Sequence, residues 1–238
     1  MATNICIEHL SKNFGSVQAL SDVSLNIDTG MFGLLGKNGA GKTTLMRILV
    51  TLLNKSEGEI RVCDYDIKDA KKIRKITGYL PQDFSFYPNM KVDEALEYLG
   101  ILSGMEKELL RQRVVELLKQ VNLISVRKRK VRALSGGMKR RLGIAQAIIH
   151  DPKVLIVDEP TAGLDPEERV RFRNLLSEIA QDRIVILSTH IVEDIEKTCK
   201  KLAVLDNGKI VFDGELATFV QGTDNLEDAF MKFVGGGK

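Results

Sequence analysis

The stretch "MFGLLGKNGAGKTTLMRILVTLL", Met31 to Leu53, changes its pattern twice. Met31 to Gly36 is an apolar run with no polar alternation, as expected of a strand buried on both faces of a parallel sheet. A glycine-rich loop follows, and from Lys42 onward the apolar residues recur at helical spacing. Gly36, Gly41, Lys42 and Thr43 match the phosphate-loop pattern G-x-x-x-x-G-K-[ST] in the strand-to-helix setting that pattern requires. In such a loop the backbone from Gly36 through Lys37, Asn38, Gly39 and Ala40 to Gly41 turns its N–H groups inward on phosphate, and the start of the helix adds its dipole. Lys42 then reaches the β- and γ-phosphates, the Thr43 hydroxyl ligates Mg²⁺, and Thr44 lines the same turn. A chance glycine turn is the alternative, and the flanking strand and helix weigh against it.

A second strand-sized run, "KVLIVDEP" (Lys153 to Pro160), ends in two acids. Asp158 closes the run, so a central strand delivers a carboxylate to the same sheet edge as the loop, where a second magnesium contact is expected. Glu159 points elsewhere as the chain leaves the strand, free to polarise an attacking water. Farther out lies "VRALSGGMKRR", Val131 to Arg141. Ser135 stands in a capping position, Gly136 and Gly137 clear the backbone, and a basic helix follows, as at an anion-binding helix start. One chain therefore carries two phosphate-binding motifs.

The rest of the chain reads as alternating strands and helices. "NICIEHLSKNF" and "VSLNID" have the period of two, with a turn at Asp28–Gly30, and "SEGEIRVCDYDI" is hairpin-like. "ITGYLPQ" (Ile76 to Gln82) is a strand candidate. Between Lys91 and Gln120 the period turns helical, with Val92, Leu96 and Leu99 on one stripe and Leu110, Val114, Leu117 and Leu118 on another, which predicts a helical insert. The sheet pattern then resumes with a helix over about Glu167 to Ala180, the strand "RIVILSTH", a helix through "VEDIEKTCK" and two strands turned at Asn207–Gly208. The terminal "GGGK" is expected to be mobile.

The ordered set "GKNGAGKTT", Gln82, "LSGGMKRR", "VLIVDEP", "AGLDP" and "STH" resembles the nucleotide-binding cassette of ATP-binding cassette (ABC) transporters, over Ile5 to about Gly214. Phosphate loops and acidic strand ends occur in many NTPases, whereas "LSGG" ahead of "VDEP" and "LDP" is specific to this family. The resemblance implies an α/β P-loop (RecA-like) core with a mainly parallel sheet, an N-terminal antiparallel β subdomain and a helical insert bearing the signature. The corresponding bounds are 1–30 and about 55–68 for the β subdomain, and 31–54, 69–86 and 144–215 for the core. The helical subdomain then spans 87–143 and a C-terminal tail 216–238.

It also implies a head-to-tail pair of chains, a homodimer, in which the Ser135 helix start of one chain meets the ATP held by the phosphate loop of the other. Single positions carry over too. Phe14 corresponds to the aromatic that stacks on adenine, and Gln82 to the glutamine that senses magnesium and the attacking water. Asp165 corresponds to the aspartate that communicates across the dimer, and His190 to the switch histidine at the γ-phosphate. A core Phe, a strand-end polar residue, a helix-start Asp and a structural His are the plainer readings of these four. Lys37 departs from the family pattern, which has Pro there.

Composition sets the outer bounds. The chain has 238 residues, 44% hydrophobic and 28% charged, with no Trp, enough to bury roughly 70–75% of the unfolded surface. Thirty-five basic against 32 acidic residues give a net charge of +3, too small to indicate nucleic acid or an anionic membrane. Three scattered cysteines fit a reducing compartment and no zinc site. The apolar runs are strand-sized, not the roughly 20 residues of a membrane span, and "ATNICIEHLSKNFG" lacks a secretory leader's pattern. A cytoplasmic location is expected, peripheral at the inner face of the membrane through a permease.

The basic run Arg127 to Arg132 has a nucleic-acid reading, but without interleaved aromatics a solvated face is the plainer one. Phe84, Phe86, Tyr87 and Met90 precede a helix started by Asp93–Glu94. They are either anchors for a partner helix, which the resemblance makes the permease's coupling helix, or residues folded back on the insert. The expected function is thus that of an ATPase subunit using Mg²⁺ and ATP to drive a separate permease. By similarity it is an exporter of the bacterial drug and peptide type. The rivals are a soluble relative acting on ribosomes or DNA, and a signalling cassette.

Overall fold

In the computed structural model, residues 3–235 are described. Of the terminal "GGGK", residues 236–238 lie outside that range. β1 (Asn4–Phe14) and β2 (Val17–Asp28) open the chain, and β3 (Gly30–Leu35) runs through the phosphate loop into α1 (Lys42–Leu49). β4 (Glu57–Val62), β5 (Tyr65–Asp66), α2 (Ala70–Ile76) and β6 (Thr77–Leu80) follow. The insert holds α3 (Val92–Leu102), α4 (Lys107–Gln120) and α5 (Gly136–Ala147). β7 (Val154–Asp158), α6 (Pro166–Ile179), β8 (Ile184–Thr189), α7 (Val192–Thr198), β9 (Lys201–Asp206) and β10 (Lys209–Glu215) return to the sheet, and α8 (Leu216–Phe219) and α9 (Leu226–Gly235) close the described chain.

Two sheets result. One is antiparallel, in the order β2-β1-β4-β5. Its β4–β5 hairpin turns at Cys63 and Asp64, both at positive φ (48° and 70°), the twist that joins two strands by two residues. The other runs β10-β9-β3-β8-β7-β6, parallel except for β10. Its central strands alternate between two cores. Leu155, Val157, Val185, Leu187, Leu202 and Val204 face the helical insert and C-terminal helices. Val154, Ile156, Ile184, Ile186, Ala203 and Leu205 pack with α1 against the antiparallel sheet. A strand buried on both sides reads as an unbroken apolar run, which is the pattern of "VLIV" and "IVIL".

Register brings the reactive ends together. Asp158 pairs with Ser188, and Ser188 with Leu34. The loops that leave β3, β7 and β8 therefore emerge at one edge, carrying Gly36, Glu159 and His190 respectively.

Some elements differ from the sequence expectation. α1 stops at Leu49 instead of running to Leu53, because Thr51 takes a left-handed φ of 60°. β6 is shorter than Ile76 to Gln82, since Ile76 still belongs to α2 and the chain leaves the sheet after Leu80. The segment after β10 is not a loose tail in its described part. Phe219, Leu226, Ala229 and Phe230 are buried, and Phe212, Phe219 and Phe233 form an aromatic cluster with ring centroids 4.7 to 5.3 Å apart. The loop aromatics divide. Phe84, Phe86 and Met90 pack against the core, with Phe84 edge-on to Phe86 at 5.8 Å, whereas Tyr87 stays exposed beside Tyr98 at 5.7 Å.

Candidate functional site

The phosphate loop bends sharply enough that Gly39 and Gly41 sit at φ of 84° and 109°, conformations that L side chains rarely adopt. Gly41 caps α1 at its N-terminus, and Lys42 is the first residue of the helix. The Lys42 side chain is 5% exposed, and its ammonium points inward. It donates to the carbonyl oxygens of Gly36 at 2.6 Å and Lys37 at 3.1 Å, and lies 3.2 Å from Glu159 Oε1.

A cleft of about 270 Å³ opens over the loop. Gly41 to Thr44 line it with Lys37, Asn38 and Gly39, and Ala19, Gln82 and Glu159 complete it. Gly36 and Ala40 are buried beneath.

Asp158 is fully buried. Its Oδ2 accepts from the Thr43 hydroxyl at 2.9 Å and its Oδ1 from the Ser188 hydroxyl at 2.8 Å. Two hard oxygens, a hydroxyl and a carboxylate, thus stand together at the loop's helix start. That donor set suits Mg²⁺, which keeps several waters and takes one or two protein oxygens beside those of a phosphate.

Glu159 differs from the sequence expectation in one respect. It is not free. Its carboxylate is 5% exposed and held at both oxygens, by Lys42 at Oε1 and by His190 Nδ1 at Oε2, 2.6 Å away. Its backbone sits at φ 48°, an uncommon conformation for a residue with a side chain. Its N–H donates to the Ser188 carbonyl at 2.9 Å. His190, at the end of β8, keeps 43% of its side chain exposed.

Other expected residues lie farther out. Gln82 reaches the cleft from a loop two residues past β6. Phe14 is 48% exposed at the end of β1 and does not line the cleft. Lys12 lies over its ring at 4.9 Å. Ser135 caps α5, accepting from the Met138 N–H at 3.2 Å. Asp165 caps α6, accepting from the Glu168 N–H at 2.9 Å. Ser135, Gly136 and Asp165 are exposed, and none of them, nor buried Gly137, lines the cleft.

Three features escaped the sequence reading. Ser188, inside the "STH" motif, orients Asp158. Arg141 pairs with Glu168 at 3.4 Å, and that carboxylate fills the space a side chain at Gly137 would need. Behind Glu159, the Thr161 hydroxyl donates to buried Asp194, which also pairs with Arg173 at 3.2 Å. No short motif marks such contacts, since their partners lie about twenty or thirty positions apart.

The ABC transporter family profile matches residues 20–162, more than half of the chain. The chain belongs to the ABC transporter ATP-binding family. As a member, it is an ATP-binding ATPase. It is similar to the ABC transporter ATP-binding protein YxlF of Bacillus subtilis, 37% identical over 91% of this chain and 72% of that one. It is also similar to the Nod factor export ATP-binding protein I of Ralstonia nicotianae, 38% identical over 94% and 71%. ATP-binding protein NatA of B. subtilis is 34% identical over 90% of each.

Among solved structures, cbiO1 from Clostridium perfringens, part of the complex cbiONQ, superposes with a TM-score of 0.85 at 28% identity, covering 93% of this chain and 92% of that one. The cassette MJ0796, dimeric with ADP and Pi after hydrolysis, gives 0.79 at 26% identity over 89% and 98%.

Proposed function

We propose that this cassette is the ATP-hydrolysing subunit of a transporter, paired head to tail with a second copy around two ATP and driving a separate membrane permease. The observation that carries the reading is a separation. Ser135, Gly136 and Asp165 are exposed and away from the cleft that holds Lys42, Thr43, Gln82 and Glu159. A helix start with unused N–H groups favours a phosphate, and its own chain brings none to it. The γ-phosphate of ATP bound by a partner supplies one, and the dimeric MJ0796 structure supports this arrangement. In that arrangement the insert, 87–143, is the arm that reaches across. The β subdomain (1–30 and about 55–68) and core (31–54, 69–86 and 144–215) hold the nucleotide, with Phe14 at the adenine.

Within the cleft, each residue's present contact suggests its task. Lys42 has Glu159 as its counter-charge, and an incoming phosphate oxygen takes that place. Glu159 Oε1 is then released toward water while His190 keeps hold of Oε2. Thr43 and Asp158 would hold Mg²⁺, which when bound neutralises phosphate charge. Glu159 removes a proton from the water whose oxygen bonds to the γ-phosphorus, as the bond to the bridging oxygen of ADP breaks. Gln82, at the cleft rim, orients that water, and Lys42 stays on the phosphates.

The permease contact is assigned to the exposed apolar side chains of the insert. Tyr87, Tyr98, Ile101 and Leu102 are 37 to 66% exposed. No described helix is long and apolar enough to cross a membrane, and cbiO1 belongs to the complex cbiONQ. Export is the favoured direction because several similar proteins are named for Nod factor export. The location that follows is the cytoplasmic face of the membrane.

Glu159→Gln tests the reading. Hydrolysis should fall by at least about 100-fold while ATP binding persists, and light scattering should report an ATP-dependent dimer. A variant that stays monomeric at saturating ATP would sink the shared site.

A further inference from the structure

We infer that Arg140 is a positioning residue for hydrolysis, because its guanidinium ties the signature helix α5 to the peptide that carries Glu159. The inference rests on the reading of Glu159 as general base. From the second turn of α5, Arg140 reaches across to the loop after β7. Its Nη2 donates to the Ala162 carbonyl at 3.0 Å and its Nη1 to the Glu159 carbonyl at 3.4 Å. One planar fork therefore spans both ends of the turn Glu159–Ala162, a geometry that a guanidinium provides and a point charge does not. The Asp83 carboxylate, next to Gln82, attracts the same group.

The Glu159 peptide is thus held from two directions. Its N–H is fixed by Ser188 in the nucleotide-binding sheet, and its C=O by α5, which begins outside the cleft at Ser135. The left-handed backbone at Glu159 persists only where its surroundings over-determine it. A rigid helix whose N-terminus is loaded by the partner's nucleotide moves Arg140 with it, and with Arg140 the carbonyl of this chain's own base. Occupancy of one site is in this way felt at the base of the other. The two carbonyls also differ in consequence. The Ala162 contact steadies the loop toward Asp165, whereas the Glu159 contact sets the direction of the carboxylate.

The test is steady-state ATPase kinetics of the full chain carrying Arg140→Gln, Arg140→Lys or Glu159→Gln, with thermal melting of each. Arg140→Gln should lower kcat by about 10- to 100-fold, the upper figure being what a misplacement of about 1 Å costs, with KM for ATP and melting temperature unchanged. Arg140→Lys keeps the charge and one donor direction and should recover part of kcat. A kcat for Arg140→Gln within twofold of the parent overturns the inference. So does a fall in kcat that is matched by losses in ATP affinity and melting temperature, since that marks a merely structural residue. If Glu159→Gln itself keeps turning over, it is the general-base assignment that fails. If it is inactive while Arg140→Gln is fully active, only the role of Arg140 is lost.

Discussion

Lys42 and Glu159 are each about 5% exposed and 3.2 Å apart, so neither is screened by water and each makes the other tolerable inside the protein. Removing one partner of such a pair costs about 3–5 kcal/mol, because the remaining charge is left buried. Lys42→Met should fall at the lower end of that range, since His190 still faces the carboxylate. For a chain of this size the loss corresponds to a melting temperature lower by about 10 °C, measured by calorimetry without nucleotide. A variant that melts with the parent would mean that the pair contributes nothing before ATP arrives. The fold brings Thr43 and Asp158 within 2.9 Å, and the sequence singled out both, with Lys42, because a glycine loop and a strand-end acid are local patterns. It gave no sign that Glu159 starts out engaged at both oxygens. That fact depends on how a loop at 36–42, a strand end at 158 and another at 190 meet in space.

At the scale of elements, the packing of β6 on α5 turns on the absence of one side chain. A Cβ at Gly78 would stand 2.0 Å from the Ala147 carbonyl oxygen at the end of α5. That obstacle is backbone and cannot rotate away. Gly78→Ala should therefore cost at least about 2–3 kcal/mol by overpacking, read as a lower urea midpoint, and unchanged unfolding would refute the close approach. Just beyond α5, burial lowers the His150 pKa from its ordinary 6.5, with the Thr77 carbonyl and Asp151 opposing. Above pH 6.5 both folded and unfolded forms are neutral there, and nothing is lost. As pH falls through 6.5 the unfolded chain takes the proton first, so stability declines toward the lower folded value. His150→Gln should flatten the part of the stability curve that falls as pH drops below 6.5, in denaturant melts run at each pH against the parent. Helices α3 and α4 were legible from apolar stripes at helical spacing. α8 and α9 were not, because "LATF" is a single turn and "LEDAFMKFVG" takes its place only through the aromatic cluster it meets at Phe212 and Phe219.

The whole molecule joins what the sequence keeps apart. The succession of strands and helices foretold a parallel sheet, and the resemblance foretold its attached antiparallel layer, yet neither announced that the last helices close one of the two cores. Truncation after Glu215 removes buried Phe219, Leu226, Ala229 and Phe230. At about 1.5–3 kcal/mol for each large apolar side chain, this approaches the whole stability of a typical domain. The shortened chain should appear in the insoluble fraction, and a soluble, cooperatively melting product would show the C-terminal helices to be dispensable. The strand order also has a consequence in time. β3, with the phosphate loop at its end, pairs with β8 and β9, whose partner residues lie more than 150 positions later. During synthesis the apolar strand and its loop therefore leave the ribosome long before the two strands that pair with β3 exist. A nascent chain halted before Ile184 carries the phosphate loop on a strand that has neither of its sheet partners.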